Sequence, residues 1–357
     1  MPERQLTSLS EKPLLILGGS GQAGSDTAAL LRRWYPELPL TLAGRDLGRA
    51  RRVADALGGA TAVTVDLRRA DLGLPSGPGW SAVVAALWDQ QQNALHYAQQ
   101  HGVPYLSISS GLVEIAPEVV ATAHRPTAAP VLMASHFCAG ILTLATLGLA
   151  REFDRIDTLR VRAALDESDV GGPAGVADLA RWTTAGTAGL VRRDSVFTWV
   201  NGPDAEADVP TGDGTVLPGV SVAVLDVPSL ARATGAPNVR FDMAVGRSPA
   251  RRHGEPAPFE ARIDIEGVGP TGAPLRVGRR LVHPRGQRPV TALGIALGVE
   301  RLLGLRGEPV PPGLHTPESL IDPAHATRRL RETGATFLEA ADGGNSPSGD
   351  RAACTVR

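Results

Sequence analysis

Leu14-Leu15-Ile16-Leu17-Gly18-Gly19-Ser20-Gly21-Gln22-Ala23-Gly24 is the stretch that decides the fold. Four apolar residues stop at a glycine cluster, and a helical pattern follows over residues 25–33, with Ala28, Leu30 and Leu31 available to a core. A short run that is apolar throughout suits a strand buried on both faces, as in a parallel sheet. Gly18, Gly21 and Gly24 recur at every third position where that strand meets the helix. A helix N-terminus carries unpaired N–H groups and the positive end of the helix dipole. Glycines there let a pyrophosphate approach the backbone where a Cβ would block it. The expected dinucleotide contacts on this loop are Gly18, Ser20, Gly21, Gln22 and Ala23.

Working outward, residues 38–43 read as a second strand that ends in Gly44-Arg45-Asp46. Readers of NAD put a carboxylate at this strand end, on the ribose 2′-OH. Arg45 instead offers a planar cation to a 2′-phosphate and a surface on which adenine can stack. It points to NADP(H), with Arg49 and Arg52 as helpers; the alternative is a solvated turn arginine. A helix over 47–57, closed by Gly58-Gly59, leads to a third strand, 62–65, with Asp66 where an adenine edge lies in such folds. Residues 82–87 form a fourth buried strand whose carboxyl end carries Leu87, Trp88, Asp89 and Gln90 over the ligand crevice. A helix over 93–101, a fifth strand over 103–108 tipped by Ser109 and Ser110, a helix around 115–123 and a sixth strand over 131–134 complete an alternating β/α series. The series predicts a Rossmann-type, doubly wound parallel sheet in the α/β class.

Past a long helix expected over 139–153, the period changes from 3.6 to 2. Leu159, Val161, Ala163 and Leu165 alternate with Arg160, Arg162, Ala164 and Asp166, and similar alternation returns around 239–245, 259–266 and 275–281. Strands with one apolar face belong to a half-covered mixed or antiparallel sheet, which a helix over 174–190 could cover. A helix over 289–303, a Pro-rich loop and a helix over 324–332 follow. The expected division is a dinucleotide-binding domain from 1–136 and 288–335, an inserted α+β mixed-sheet domain over 137–287 and a disordered tail over 342–357.

Composition removes several classes. A net charge of −1 gives no electrostatic case for nucleic acid or an anionic membrane surface. Cys138 and Cys354 are far apart with no CxxC pair, so neither a disulfide scaffold nor a structural metal site is expected, and a reducing cytoplasm is the default. Residues 131–150 carry no Asp, Glu, Lys or Arg, but their Ser, His, Thr and Gly content suits a strand running into a buried helix better than a membrane span. Lys12 is the one lysine in 357 residues, which excludes a Tyr-x-x-x-Lys catalytic pair, a P-loop lysine and an internal Schiff-base lysine.

Taken together, Gly18 to Gly24, Ala43-Gly-Arg-Asp46, the strand Gly102-Val-Pro-Tyr-Leu-Ser-Ile-Ser-Ser110, the junction at 131–145 and the return helix from Val290 to Gly304 resemble the saccharopine dehydrogenase-like NADP-dependent reductases. The resemblance implies a Rossmann domain, an inserted domain for substrate and dimer contacts, and hydride transfer from NADPH to a small-molecule substrate. It implies an oxidoreductase acting on a C=N (imine) or C=O bond, with an enoyl (C=C) reductase as alternative, and a homodimer. Where that family often has Asp-Pro-Gly at the junction, this chain has Ser135-His136-Phe137-Cys138-Ala139-Gly140. A non-catalytic protein that senses NADP(H) is the remaining reading.

Hydride transfer needs a proton source beside the acceptor. His136, following a buried strand at the domain junction, is the first acid/base candidate, since imidazole titrates near neutrality; a histidine bonded within the core is the competing account. Asp166, ending a strand just before Gly171-Gly172, is the second.

Overall fold

The computed structural model describes residues 11–340 except 76, 78, 109–110, 113, 170–171, 173–174, 178–179 and 181–187. The tail over 342–357, and with it the expectation of disorder, lies outside the described residues, as do Ser109 and Ser110.

The opening stretch folds as its sequence dictates. Strand β1 (Leu14–Leu17) is buried along its whole length, and helix α1 (Gln22–Trp34) starts inside the glycine cluster, three residues earlier than its apolar pattern indicates. Then come β2 (Leu40–Gly44), α2 (Leu47–Leu57), β3 (Ala60–Thr64), β4 (Ala82–Ala85), α3 (Asn93–Gln100), β5 (Tyr105–Ser107), α4 (Ile115–His124) and β6 (Pro130–Met133). These strands pair in the parallel order β3-β2-β1-β4-β5-β6, the order of a doubly wound dinucleotide-binding sheet.

The chain leaves this sheet through a sharp corner rather than a straight helix. Phe137–Gly140 form a 3₁₀ turn in which Cys138 and Ala139 hold left-handed φ values of 50° and 51° and Gly140 one of 87°. Only then does helix α5 (Ile141–Ala150) begin, so the expected helix over 139–153 is shortened at both ends. The apolar span 131–150 is a strand, a corner and a ten-residue helix, and among the described residues no helix is long and apolar enough to cross a membrane.

The second sheet carries β7 (Arg155–Asp166), β8 (Gly189–Arg193), β9 (Val196–Val200), β10 (Glu206–Pro210), β11 (Val216–Ser221), β12 (Asn238–Gly246), β13 (Phe259–Val268) and β14 (Pro274–His283). Helices α6 (Asp226–Thr234) and α7 (Pro249–Arg252) interrupt the series. The main path runs β10-β11-β12-β7-β13-β14, with only the β12–β7 pair parallel, and the β8–β9 hairpin hangs from the edge of β12. Most of the expected cover helix over 174–190 falls outside the described residues, and its end is corrected: Gly189 and Leu190 open β8. Among the described residues, α5 and α6 pack on the apolar face.

Helix α8 (Arg288–Leu302) joins the two sheets. Twelve of its fifteen residues are buried: Val290, Leu293 and Leu297 enter the core beneath the second sheet, and Ile295, Ala296 and Val299 enter the core of the first. A helix apolar all round is one with covered faces on every side. Three residues of the Pro-rich segment, β15 (Gly313–His315), add a seventh strand beside β6. Short helices α9 (Pro317–Leu320) and α10 (Pro323–Glu332) follow, and β16 (Thr336–Glu339) crosses over to pair with β14. The result is a seven-stranded parallel Rossmann sheet beside a mixed second sheet.

Candidate dinucleotide and substrate site

The glycine loop is a tight turn with its glycines spent on contact. Gly18, at φ +76°, donates to Ala43 O at 2.9 Å, and a Cβ there would sit 3.1 Å from Ala86 O and Leu87 Cδ2. Gly21 donates to Gly18 O at 2.8 Å and is the N-cap of α1 without a side-chain cap, so the first-turn N–H groups open toward the crevice. A Cβ on Gly24 would meet Gly18 C and Gly19 Cα at 2.9 Å, with Gly18 O closer still, so this glycine lets α1 lie against the loop. The donors and their lack of side chains fit a pyrophosphate.

Ser20 faces the end of β2, its hydroxyl 3.4 Å from where a Cβ of Gly44 would be. Arg45 is exposed beyond Gly44, and among the described residues no hydrogen bond or ion pair engages its guanidinium. The Asp46 carboxylate is occupied as the cap of α2, accepting from Arg49 N at 2.9 Å. Asp66 accepts from Arg68 Nε and Nη2, both at 2.9 Å, and those bonds with the Arg68 N–H lower its pKa to about 2. Leu87 touches the Gly18 turn and Trp88 is half-buried beside it. Asp89 is buried and accepts from Ala94 N at 2.6 Å, so it caps the start of α3, while burial raises its pKa.

The acid/base expectations change. His136 lies at the domain junction, but its side chain has no exposed surface; Nε2 is 2.7 Å from Ser229 Oγ and 3.7 Å from Glu318 Oε2. Buried Asp226 stands beside it and accepts from Phe137 N at 2.7 Å and Thr143 Oγ1 at 2.6 Å. Asp166 is enclosed as well, accepting from Ser168 N and Oγ on one oxygen and from Ser248 N on the other. Burial alone would raise its pKa, but the Ser168 and Ser248 bonds outweigh it and hold it at about 2. Both side chains are buried at the junction and hydrogen-bonded within it. Their place on the fold was legible, whereas their partners, 93 and 82 residues away in sequence, were not.

What opens at the junction is a cavity of about 170 Å³ lined by Gln22, Asp26, Ser168, Asp169, Arg285 and Arg288, with Pro289 at its edge. It sits where the N-termini of α1 and α8 come together. Arg288 pairs with Asp26 through two bonds of 2.6 and 2.9 Å. The Asp169 carboxylate accepts Gln287 N–H at 2.6 Å on one oxygen; burial raises its pKa more than that bond lowers it. Of the expected residues that are described, only Gln22 lines this cavity. The sequence signal for the others was present but faint: an acidic residue just before Gly171-Gly172, and Arg285-Gly-Gln-Arg288 ahead of a helix.

A parallel sheet with a glycine-turned β1–α1 junction beside a mixed second sheet is a Rossmann-type two-sheet architecture. The chain resembles, in fold, the saccharopine dehydrogenase (L-Glu forming) of Saccharomyces cerevisiae, at a TM-score of 0.62 and 12% identity, over 92% of this chain and 100% of that one. A myo-inositol dehydrogenase from Corynebacterium glutamicum aligns over 92% of this chain and 100% of that one at 0.46 and 13% identity. GenD2 from gentamicin A biosynthesis, solved with NAD, aligns over 95% of this chain and 100% of that one at 0.43 and 12%. No known sequence family and no curated protein matches the chain.

Proposed function

We propose that this chain is an NADPH-dependent oxidoreductase that reduces a C=N or C=O bond of a small molecule, the two domains meeting as the sequence divides them at 136/137 and 287/288. The observation that carries the reading is the pairing of an uncapped, glycine-lined α1 N-terminus with an unengaged Arg45 at the end of β2. The N–H groups of the first turn of α1 would hold the pyrophosphate. Arg45, with Arg49 and Arg52 on the first turns of α2, would hold the 2′-phosphate, while Asp66, Leu87 and Trp88 would line the walls. The bound nucleotide supplies a hydride; the chain supplies orientation and a proton.

In this reading the proton comes from Asp169 rather than from the buried His136 or Asp166. Asp169 faces the cavity, and a carboxyl whose pKa is raised keeps its proton nearer to neutral pH. Arg285 supports an anionic substrate group beside it, strengthened by the two helix ends. His136 and Asp166 would act by holding the loops that carry this site.

Fluorescence titration of the protein and of Arg45→Ala with NADPH and NADH tests the reading. NADPH should bind at least about tenfold tighter than NADH, and the variant should lose that preference, since one charge-assisted contact is worth about 1.5–3 kcal/mol. Absence of binding by either nucleotide overturns the reading. Binding without turnover of imine, ketone or enoyl substrates supports a sensor instead.

A further inference from the structure

The second sheet has an edge unlike the others. Strand β9 reads Val196-Phe197-Thr198-Trp199-Val200, a palindrome in residue type about Thr198 with no charge, glycine or proline. Among the described residues it pairs with β8 alone. Val196, Phe197 and Trp199 are 62%, 49% and 54% exposed, which places three of the large exposed apolar side chains on one five-residue strand. An open apolar strand edge is a pairing template that proteins normally blunt with charge or proline. Strand β10, the edge strand beyond β11, does so with Glu206, Asp208 and Pro210. Strand β9 carries no such device.

The hairpin register says which backbone groups are open. Asp194 and Ser195, at φ 48° and 70°, form a two-residue turn of the type that closes tight hairpins. Arg193 and Val196 are therefore the hydrogen-bonded closing pair, and pairs alternate from there. Thr198, opposite Val191, turns its N–H and C=O toward β8, as do Val196 and Val200. Phe197, opposite Arg192, and Trp199, opposite Leu190, turn theirs outward.

We propose that β9 is a self-association edge that pairs antiparallel with β9 of a second copy of this chain, the two-fold axis passing between the Thr198 residues. In that register Phe197 lies opposite Trp199 of the second copy, and each such pair exchanges two backbone hydrogen bonds, so the outward groups are satisfied by about four bonds. The same register sets Phe197 beside the second copy's Trp199 on one face, with Arg192 already over the Phe197 ring at 5.7 Å, and Val196 opposite Val200 on both sides of the axis. A shift by one residue would face inward-turned groups against outward-turned ones. The palindrome and the hydrogen-bond phase thus select the same centre, as an isologous contact requires. This gives a definite surface to the homodimer that the family resemblance implies, and it does not depend on the oxidoreductase reading.

The test is sedimentation velocity of the full chain from about 1 to about 100 µM, where a small strand-edge contact should be concentration-dependent. Trp199→Lys, at an exposed position, should move the monomer–dimer midpoint up by about tenfold or more, since aromatic anchors dominate such contacts. Thr198→Cys in a Cys354→Ser background should give an interchain disulfide under mild oxidation, because directly opposed residues that are not hydrogen-bonded bring their Cα atoms to about 4.5 Å. Glu206→Cys on β10 should give none. An unchanged melting profile of each variant separates loss of pairing from misfolding. A chain monomeric throughout the range overturns both the proposal and the homodimer expectation. A dimer that survives Trp199→Lys, or that Thr198→Cys does not cross-link, overturns the β9 contact and leaves the homodimer standing.

Discussion

Alanine at Gly24 and at Gly21 should separate the two tasks of the glycine loop. A Cβ on Gly24 would sit 2.9 Å from Gly18 C and Gly19 Cα and closer to Gly18 O. All three atoms are backbone, so no side chain can turn aside, and α1 must move away by about 0.5–1 Å to restore ordinary contact. Overfilling of this kind costs about 1–3 kcal/mol, partly offset by about 1 kcal/mol of helix propensity gained on replacing glycine. At Gly21 a Cβ would meet only Gly18 O, at 3.0 Å, with the φ already at −77°, so a shift of a few tenths of an ångström accommodates it. There the methyl stands where a pyrophosphate must approach. Gly24→Ala should thus lower the melting temperature by a few degrees and weaken NADPH about tenfold, because the displaced donors no longer converge. Gly21→Ala should lower the melting temperature less than Gly24→Ala does and still weaken NADPH at least tenfold. Differential scanning fluorimetry without and with NADPH reads both numbers. A Gly24→Ala protein as stable and as tightly bound as the parent would refute the loop geometry; unchanged binding in Gly21→Ala would refute its assignment to the pyrophosphate.

The remaining predictions concern the two aspartates of the β7 end. The folded pKa of Asp166, about 2, lies below the usual carboxylate value, so its bonds stabilise the fold above about pH 4, and that contribution is lost as pH falls through 2. Asp166→Asn should cost about 2 kcal/mol at neutral pH and flatten the acid limb of a urea-midpoint profile between about pH 2 and 4; an unaltered profile would show that the latch is not ionic. Asp169→Asn should keep NADPH affinity, lower kcat about 100-fold and remove the fall in activity as pH rises past the carboxyl's raised pKa. A variant of unchanged kcat and pH profile would return the proton to another group.

The first sheet was legible because each of its parts is local. Apolar four-residue runs, glycines at strand ends and 3.6-period helices between them are short-range patterns, and α2 falls on its expected residues from Leu47 to Leu57. The sequence was silent where pairing partners are distant. Strand β15 is three residues within a Pro-rich segment and is a strand only because β6 offers an unpaired edge. Strand β16 similarly depends on β14. Hairpins β8–β9 and β10–β11 were missed because their apolar residues do not alternate against a covered face: Val196, Phe197 and Trp199 are exposed, while Glu206 and Asp208 mark an edge. The expected helix over 139–153 lost its first turn to a corner that left-handed Cys138 and Ala139 make possible, a conformation no propensity argues for.

By itself the sequence determined the doubly wound sheet, the glycine turn at the start of α1 and the arginine beyond β2, because strand burial, turn chemistry and charge at a strand end act over a few residues. Only the tertiary structure decided which polar groups face the crevice. His136 and Asp166 sit in the expected places, yet Ser229, Asp226 and Ser248, brought from far along the chain, enclose them. Asp169, three residues beyond the expected aspartate, lines the cavity instead. Whether a side chain is committed to its own fold or open to a ligand depends on long-range partners, and those exist only once the two sheets have closed around α8.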